Sequence, residues 1–186
     1  MARPPDHAKR AEILAQVIDY IGERGLADLS LRPLAAALGT SSRMLIHYFG
    51  SKEELLAQAL ATQRPDIEER FADVSSRAML PARMRELWAA LTSGEHSTHT
   101  RVLLQVMGTA CVQQGPFVEY STAAIETLVA SLTGVLVRLG SEVGEATVVS
   151  TLLVSGLRGI LLDRLITGDI ERTDLAAQRL IDLSLG

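Results

Sequence analysis

Three helix starts crowded into residues 30–56 constrain this chain more than any other feature. Ser30 stands before Leu31, Leu34, Ala35 and Leu38, an i, i+3, i+4, i+7 stripe that makes one face of a short helix. Pro33 falls in its first turn, where a missing amide costs little, so Ser30 is expected to cap the Arg32 amide. Gly39 breaks this helix, and Thr40 or Ser41 can cap a third one running through His47. Ser51 opens a fourth, with Glu54 completing a capping box. Upstream, Ile13, Leu14, Val17, Ile18 and Ile21 mark a longer first helix, from an Asp6 cap to about Arg24. Gly25 offers it a left-handed C′ residue, and Leu26 the hydrophobic contact that follows. Two short helices joined at a glycine turn and packed on a longer one form a helix-turn-helix.

In that motif the second short helix lies in the major groove with its outer face on the base edges. Here Leu45 and Phe49 point inward, which leaves Ser42, Arg43, Ile46 and His47 outward. Arg43 can present two donors to guanine O6 and N7. The free amides and macrodipole at the start of the fourth helix favour a phosphate, and Lys52 adds a cation there. A solvated helix face would carry Arg43 and His47 equally well in another context, but the motif favours DNA contact. Arg3 and Lys9 read as a solvated terminus. Charge is consistent with this reading but weak. The chain is −4 overall, yet residues 1–52 are net +2 and the remainder −6.

The rest of the chain is also helical. The periodicity predicts helices at about 81–93, 98–113, 117–139, 143–167 and 173–184. Segment 117–139 is apolar on most faces, as in the middle of a bundle. Along 143–167, Val149, Leu153, Gly156, Leu157 and Ile160 share one side, with Ser155 and Gly159 also small. Glycine inside a helix costs about 1 kcal/mol against alanine, so close approach of another helix is expected. A two-fold partner is the preferred explanation, and internal packing is the alternative. Runs such as 128–137 and 151–162 fall short of the 18 or so apolar residues of a membrane span, and Arg158 interrupts the second. With one cysteine, Cys111, no internal disulfide forms, and a cytoplasmic protein is expected, with no membrane partner. Cys111 reads as a small buried hydrophobe. His96 and His99 have no evident third ligand, so no metal is expected. No catalytic set or cofactor motif stands out, so the chain does not read as an enzyme.

The segment from Arg10 to Leu60 resembles the DNA-binding domain of the tetracycline-repressor (TetR) family. The residues that carry the likeness are Arg10, Ile13-Leu14, Gly25, Ser30-Leu31, Leu34-Ala35, Leu38-Gly39, Ser41, Leu45, Tyr48-Phe49, Ser51-Lys52 and Glu54-Leu55-Leu56. The string LGTSSRMLIHYFGSKEELL is its most specific part. The resemblance implies an all-α chain, with a three-helix helix-turn-helix domain over 1–52 and a helical ligand-binding and dimerisation domain over 53–186. By position it implies DNA contacts from Ser30, Ser41, Ser42, Arg43, Met44, His47, Tyr48 and Lys52, with Tyr48 divided between phosphate contact and packing. Ile46 departs from the family's usual tyrosine, so one contact is missing there. Segment 152–169 resembles the family's dimerisation end, which assigns Val149, Leu153, Gly156, Leu157 and Ile160 to a homodimer interface. The family also implies a repressor that binds palindromic double-stranded DNA and is released by a small molecule; a ligand-independent regulator or activator is the alternative. For the unknown effector, the residues expected nearest the pocket are Trp88, Leu91, Leu104, Met107, Cys111, Phe117 and Tyr120, each of which could equally be core.

Overall fold

In the computed structural model, which describes residues 7–25, 29–62, 67–94, 96–112 and 114–186, every regular element is helical. The order is α1 (His7–Arg24), α2 (Leu31–Ala37), α3 (Ser42–Phe49), α4 (Lys52–Ala61), α5 (Ile67–Arg70) and a 3-10 turn (Arg77–Met79). It continues with α6 (Leu80–Thr92), α7 (Ser97–Ala110), α8 (Pro116–Arg138), α9 (Val143–Thr167) and α10 (Ile170–Leu185). The Asp6 cap and the Leu26 contact lie outside the described residues.

Local chemistry sets most of these boundaries. Gly25 closes α1 at φ 77°, the left-handed conformation expected of a C′ residue. The Ser41 hydroxyl accepts from the Met44 amide at 3.2 Å and the Ser51 hydroxyl from the Glu54 amide at 3.0 Å, so α3 and α4 start at capping serines. Ser30 differs. Its backbone is extended, as an N-cap requires, but its side chain makes no capping hydrogen bond, against expectation. Pro33 occupies the third helical position and has no amide to offer, and the hydroxyl does not turn to Arg32 instead. The last helix starts at Ile170 rather than near 173, because Gly168 (φ 70°) ends α9 and the Asp169 carboxylate accepts from the Arg172 amide at 3.1 Å.

The chain divides into two compact units, 1–64 with 98–122, and 65–97 with 123–186. In the first, α1 buries Ile13, Val17 and Ile21 against α4, whose Leu55, Leu56, Ala59 and Leu60 are also buried. The expected boundary at 52 therefore falls too early, because it would cut α4 from the helices it packs on. In the second unit α10 lies along α9 and α6, with Thr173, Ala177 and Ile181 inward. Arg138 donates to the backbone carbonyl of Phe71 at 2.9 Å and so ties the end of α8 to the backbone at a residue whose side chain is fully buried. At 23 and 25 residues, α8 and α9 are long and apolar enough to cross a membrane by length and composition, which run length alone had not indicated.

Candidate nucleic-acid interface

The head is built so that α3 shows a defined face. Leu45 (1 % exposed) and Phe49 (3 %) seat it on the first unit's core. The remaining positions turn outward: Arg43, Met44, Ile46 and His47 are exposed, and Ser42 and Tyr48 are half-buried. Arg43 and His47 are four residues apart and so stand in one line along the helix. Tyr48 has its ring tilted against both neighbours, 5.8 Å from the His47 ring and 6.1 Å from Phe49. Packing therefore holds it at one edge of the face.

Ser30 and Ser41 are exposed at the starts of α2 and α3. Lys52 is half-buried, and its ammonium donates to the Leu29 carbonyl at 3.3 Å and lies 3.8 Å from Glu53. It thus joins the start of α4 to the segment before α2 while keeping further donors. Arg10 has a part the motif did not reveal. Its guanidinium donates to Gln58 and lies 5.0 Å over the Phe49 ring, so one side chain of α1 fastens both α3 and α4. Its place among the matching residues was the available signal.

The residues expected near an effector are shared between the two units. Trp88 and Leu91 belong to the second unit, and Leu104, Met107, Cys111, Phe117 and Tyr120 to the first. Trp88 donates its indole N–H to Asp174 at 2.7 Å, and Arg164 reaches the same carboxylate at 2.8 Å, so this indole fixes α6 to α10. The cleft beside it, with Arg85, Thr92 and Gln178 among its walls, holds about 230 Å³, less than an ordinary small-molecule site. Phe117 and Tyr120 are buried, and Leu104 and Met107 half-buried. Cys111 is exposed, which corrects the expectation of a buried thiol: α7 ends at Ala110, and the cysteine lies beyond the last turn. Among the described residues no group of three potential ligands could hold a metal ion.

The expected dimer face also changes. Leu153 (0 % exposed) and Leu157 (6 %) are buried within the chain, and Val149 and Ile160 are half-buried. A Cβ at Gly156 would meet Leu180 of α10 at 2.5 Å, so the close approach expected there is internal. The exposed side of α9 is instead Val148, Leu152, Leu162 and Ile166, with Ser155 and Gly159 between them.

Residues 13–59 match the model of the bacterial regulatory proteins of the tetR family. The HTH-type transcriptional regulator PksA of Bacillus subtilis is 35% identical over 82 residues, which cover 44% of this chain and 40% of that protein. The chain thus spans about two fifths of the length of that relative. Over nearly its whole length, the fold is that of a transcriptional regulator from Rhodococcus sp. Rha1, at 25% identity, 95% coverage of both chains and a TM-score of 0.76. A regulator from Saccharomonospora viridis, solved in complex with choline, shares the fold at 20% identity, 96% coverage of both chains and a TM-score of 0.73. The class is a helix-turn-helix domain on a helical body. Through residues 13–59 the chain is similar to the tetR family of bacterial regulatory proteins.

Proposed function

We propose that this protein regulates transcription by binding a palindromic operator as a homodimer, and that it is a repressor released by a small molecule. The observation that carries DNA binding is the outward line of Arg43 and His47 on α3, flanked by the exposed caps Ser30 and Ser41 and by Lys52. Arg43 reads guanine, while Lys52 and the capped start of α4 hold phosphate. Two heads related by a two-fold axis bind half-sites about 34–36 Å apart or a multiple of that spacing.

Val148, Leu152, Leu162 and Ile166 support the dimer, because monomers rarely leave such a contiguous apolar stripe in water. The small residues between them let a second α9 approach closely. Ligand release rests on less: the likeness of residues 13–59 to the family and the choline held by a regulator of the same fold. The buried hydroxyls of Ser121, Thr133 and Ser150, which make no hydrogen bond, add interior polar groups of the kind that orient a ligand. Thr98, at the start of α7, lies so near Gly22 of α1 that a Cβ there would meet its methyl group, so a shift of α7, which also carries Leu104 and Met107, acts on the head within one unit. A ligand releases DNA by favouring the DNA-incompetent arrangement, with coupling of about 1–3 kcal/mol.

The test combines binding to promoter fragments from beside the protein's own gene with sedimentation and a screen of small apolar, aromatic and quaternary-ammonium compounds. A dimer that shifts one fragment, and loses it when a compound is added, is the expected result. A monomer, or no bound fragment, overturns the reading. A dimer that binds DNA but answers no compound retains the regulator and removes the ligand.

A further inference from the structure

The outward face of α3 carries apolar side chains where a solvated surface would carry polar ones. Ile46 is 41 % exposed and Met44 38 %, and they stand on either side of the line through Arg43 and His47. Neither serves the core, since Leu45 and Phe49 occupy that side. Ile46 is the more telling of the two. A β-branched side chain in a helix is held almost entirely in one χ1 rotamer, so its methyl groups project from a fixed position and lose little entropy on contact. It has no donor for a phosphate oxygen. Among the groups that base edges present in the major groove, the C5-methyl of thymine is the one an aliphatic side chain fits.

We propose that Ile46 reads a thymine methyl in each half-site, beside the guanine that Arg43 contacts. This rests on the DNA-binding reading above and adds the identity of one base. Arg43 and Ile46 are three residues apart and so neighbours on the helix surface, which assigns them to adjoining base pairs. The complex then buries an exposed isoleucine at no cost in unpaired polar groups.

The experiment selects a randomised duplex pool with the full-length protein, then replaces each thymine of the enriched site by uracil, which removes the methyl alone. At one thymine per half-site, next to a guanine, Kd should rise about fourfold, the worth of burying one methyl group. Ile46→Ala, which removes the contact from both half-sites, should weaken the thymine duplex by the product of two such losses, on the order of fifteenfold, and bind thymine and uracil duplexes alike. Its thermal unfolding should match the parent protein, because residue 46 is exposed. A site bound equally well with thymine and uracil overturns this inference alone, as does a methyl dependence that persists in Ile46→Ala. A pool that yields no enriched sequence overturns the DNA-binding reading and this inference with it.

Discussion

The helix-turn-helix head and the helical body leave different things uncovered. In α1 to α4 nearly every large apolar side chain is buried, and the exposed exceptions, Met44 and Ile46, both lie on α3. In α8 to α10 apolar exposure is common: Ile125, Val137, Val148, Leu152, Leu162, Ile166, Leu175 and Leu183 are all exposed. In the head, three short helices packed with the longer α1 bury their apolar faces and leave the outward side of α3 uncovered. The long helices of the body are too apolar to be satisfied by one another. The contrast matches the two partners proposed above, a charged, grooved one for the head and an apolar one, a second copy of the chain, for the body.

The strongest way to break this contrast is to put a charge on the body's exposed stripe. Leu152→Glu leaves a lone protomer untouched, since position 152 is already 56 % exposed. In a dimer that covers it, two unpaired carboxylates leave water, at several kcal/mol per ion. Sedimentation should therefore show the dimer dissociation constant raised at least about a hundredfold, roughly 3 kcal/mol or more. An unchanged dimer would move the interface off this face of α9.

Gly156→Leu sharpens the same point. Residue 156 packs on Leu180 of its own chain, so overpacking should lower stability by about 1–3 kcal/mol while leaving self-association nearly intact. Thermal unfolding and sedimentation on one sample separate the outcomes. Loss of the dimer without loss of stability would restore Gly156 to the two-fold interface.

Two substitutions probe the head. Arg43→Ala should cost about 1–3 kcal/mol of operator affinity and relax preference at one base position. Full retention of base preference would mean that α3 lies in the groove in another register. Lys52→Ala should weaken all sequences similarly and reduce the salt slope by about 1, as expected for one lost phosphate contact. Because Lys52 also holds the Leu29 carbonyl, a small fall in stability should accompany it. A sequence-dependent loss would instead make Lys52 a base reader.

The two regions also differ in what their sequences revealed. The head was legible nearly to the residue, because its signals are local: Ser41 and Ser51 cap amides three positions on, and Gly25 and Gly39 supply positive φ. The idle hydroxyl of Ser30 is a local failure, whereas the early boundary at 52 and the overlooked hold of Arg10 on Gln58 concern contacts distant in sequence. In the body, helix existence was legible and facing was not. Leu152 and Leu153, or Leu161 and Leu162, are equally apolar neighbours of which one is exposed and the other buried, and periodicity cannot rank them. What settles their direction is α10, whose own start at Asp169 was written in the Gly168-Asp169 pair. Trp88 was open to misreading for the same reason, since the Asp174 that takes up its N–H is 86 residues away.

The smallest expected effect concerns that start of α10. Arg172 grips Asp163 with two hydrogen bonds of 2.7 Å and also reaches Asp169 at 3.0 Å, bracing the turn between α9 and α10. Hydrogen bonding to the Arg172 guanidinium holds the Asp163 carboxyl below its ordinary value of 3.8. A carboxyl depressed in the folded state stabilises the fold while the unfolded chain's carboxyl is ionised, and that contribution fades as pH falls through the folded value. Both partners are exposed, so water and salt screen the pair and the gain is small. Asp163→Asn should therefore melt slightly below the parent protein at neutral pH. The gap should narrow from about pH 4 downward and vanish in strong acid, where the parent's carboxyl is protonated as well. A gap that stays constant across that range would mean that the aspartate acts through packing or its bond to Thr167, and that Arg172 contributes nothing measurable to the turn.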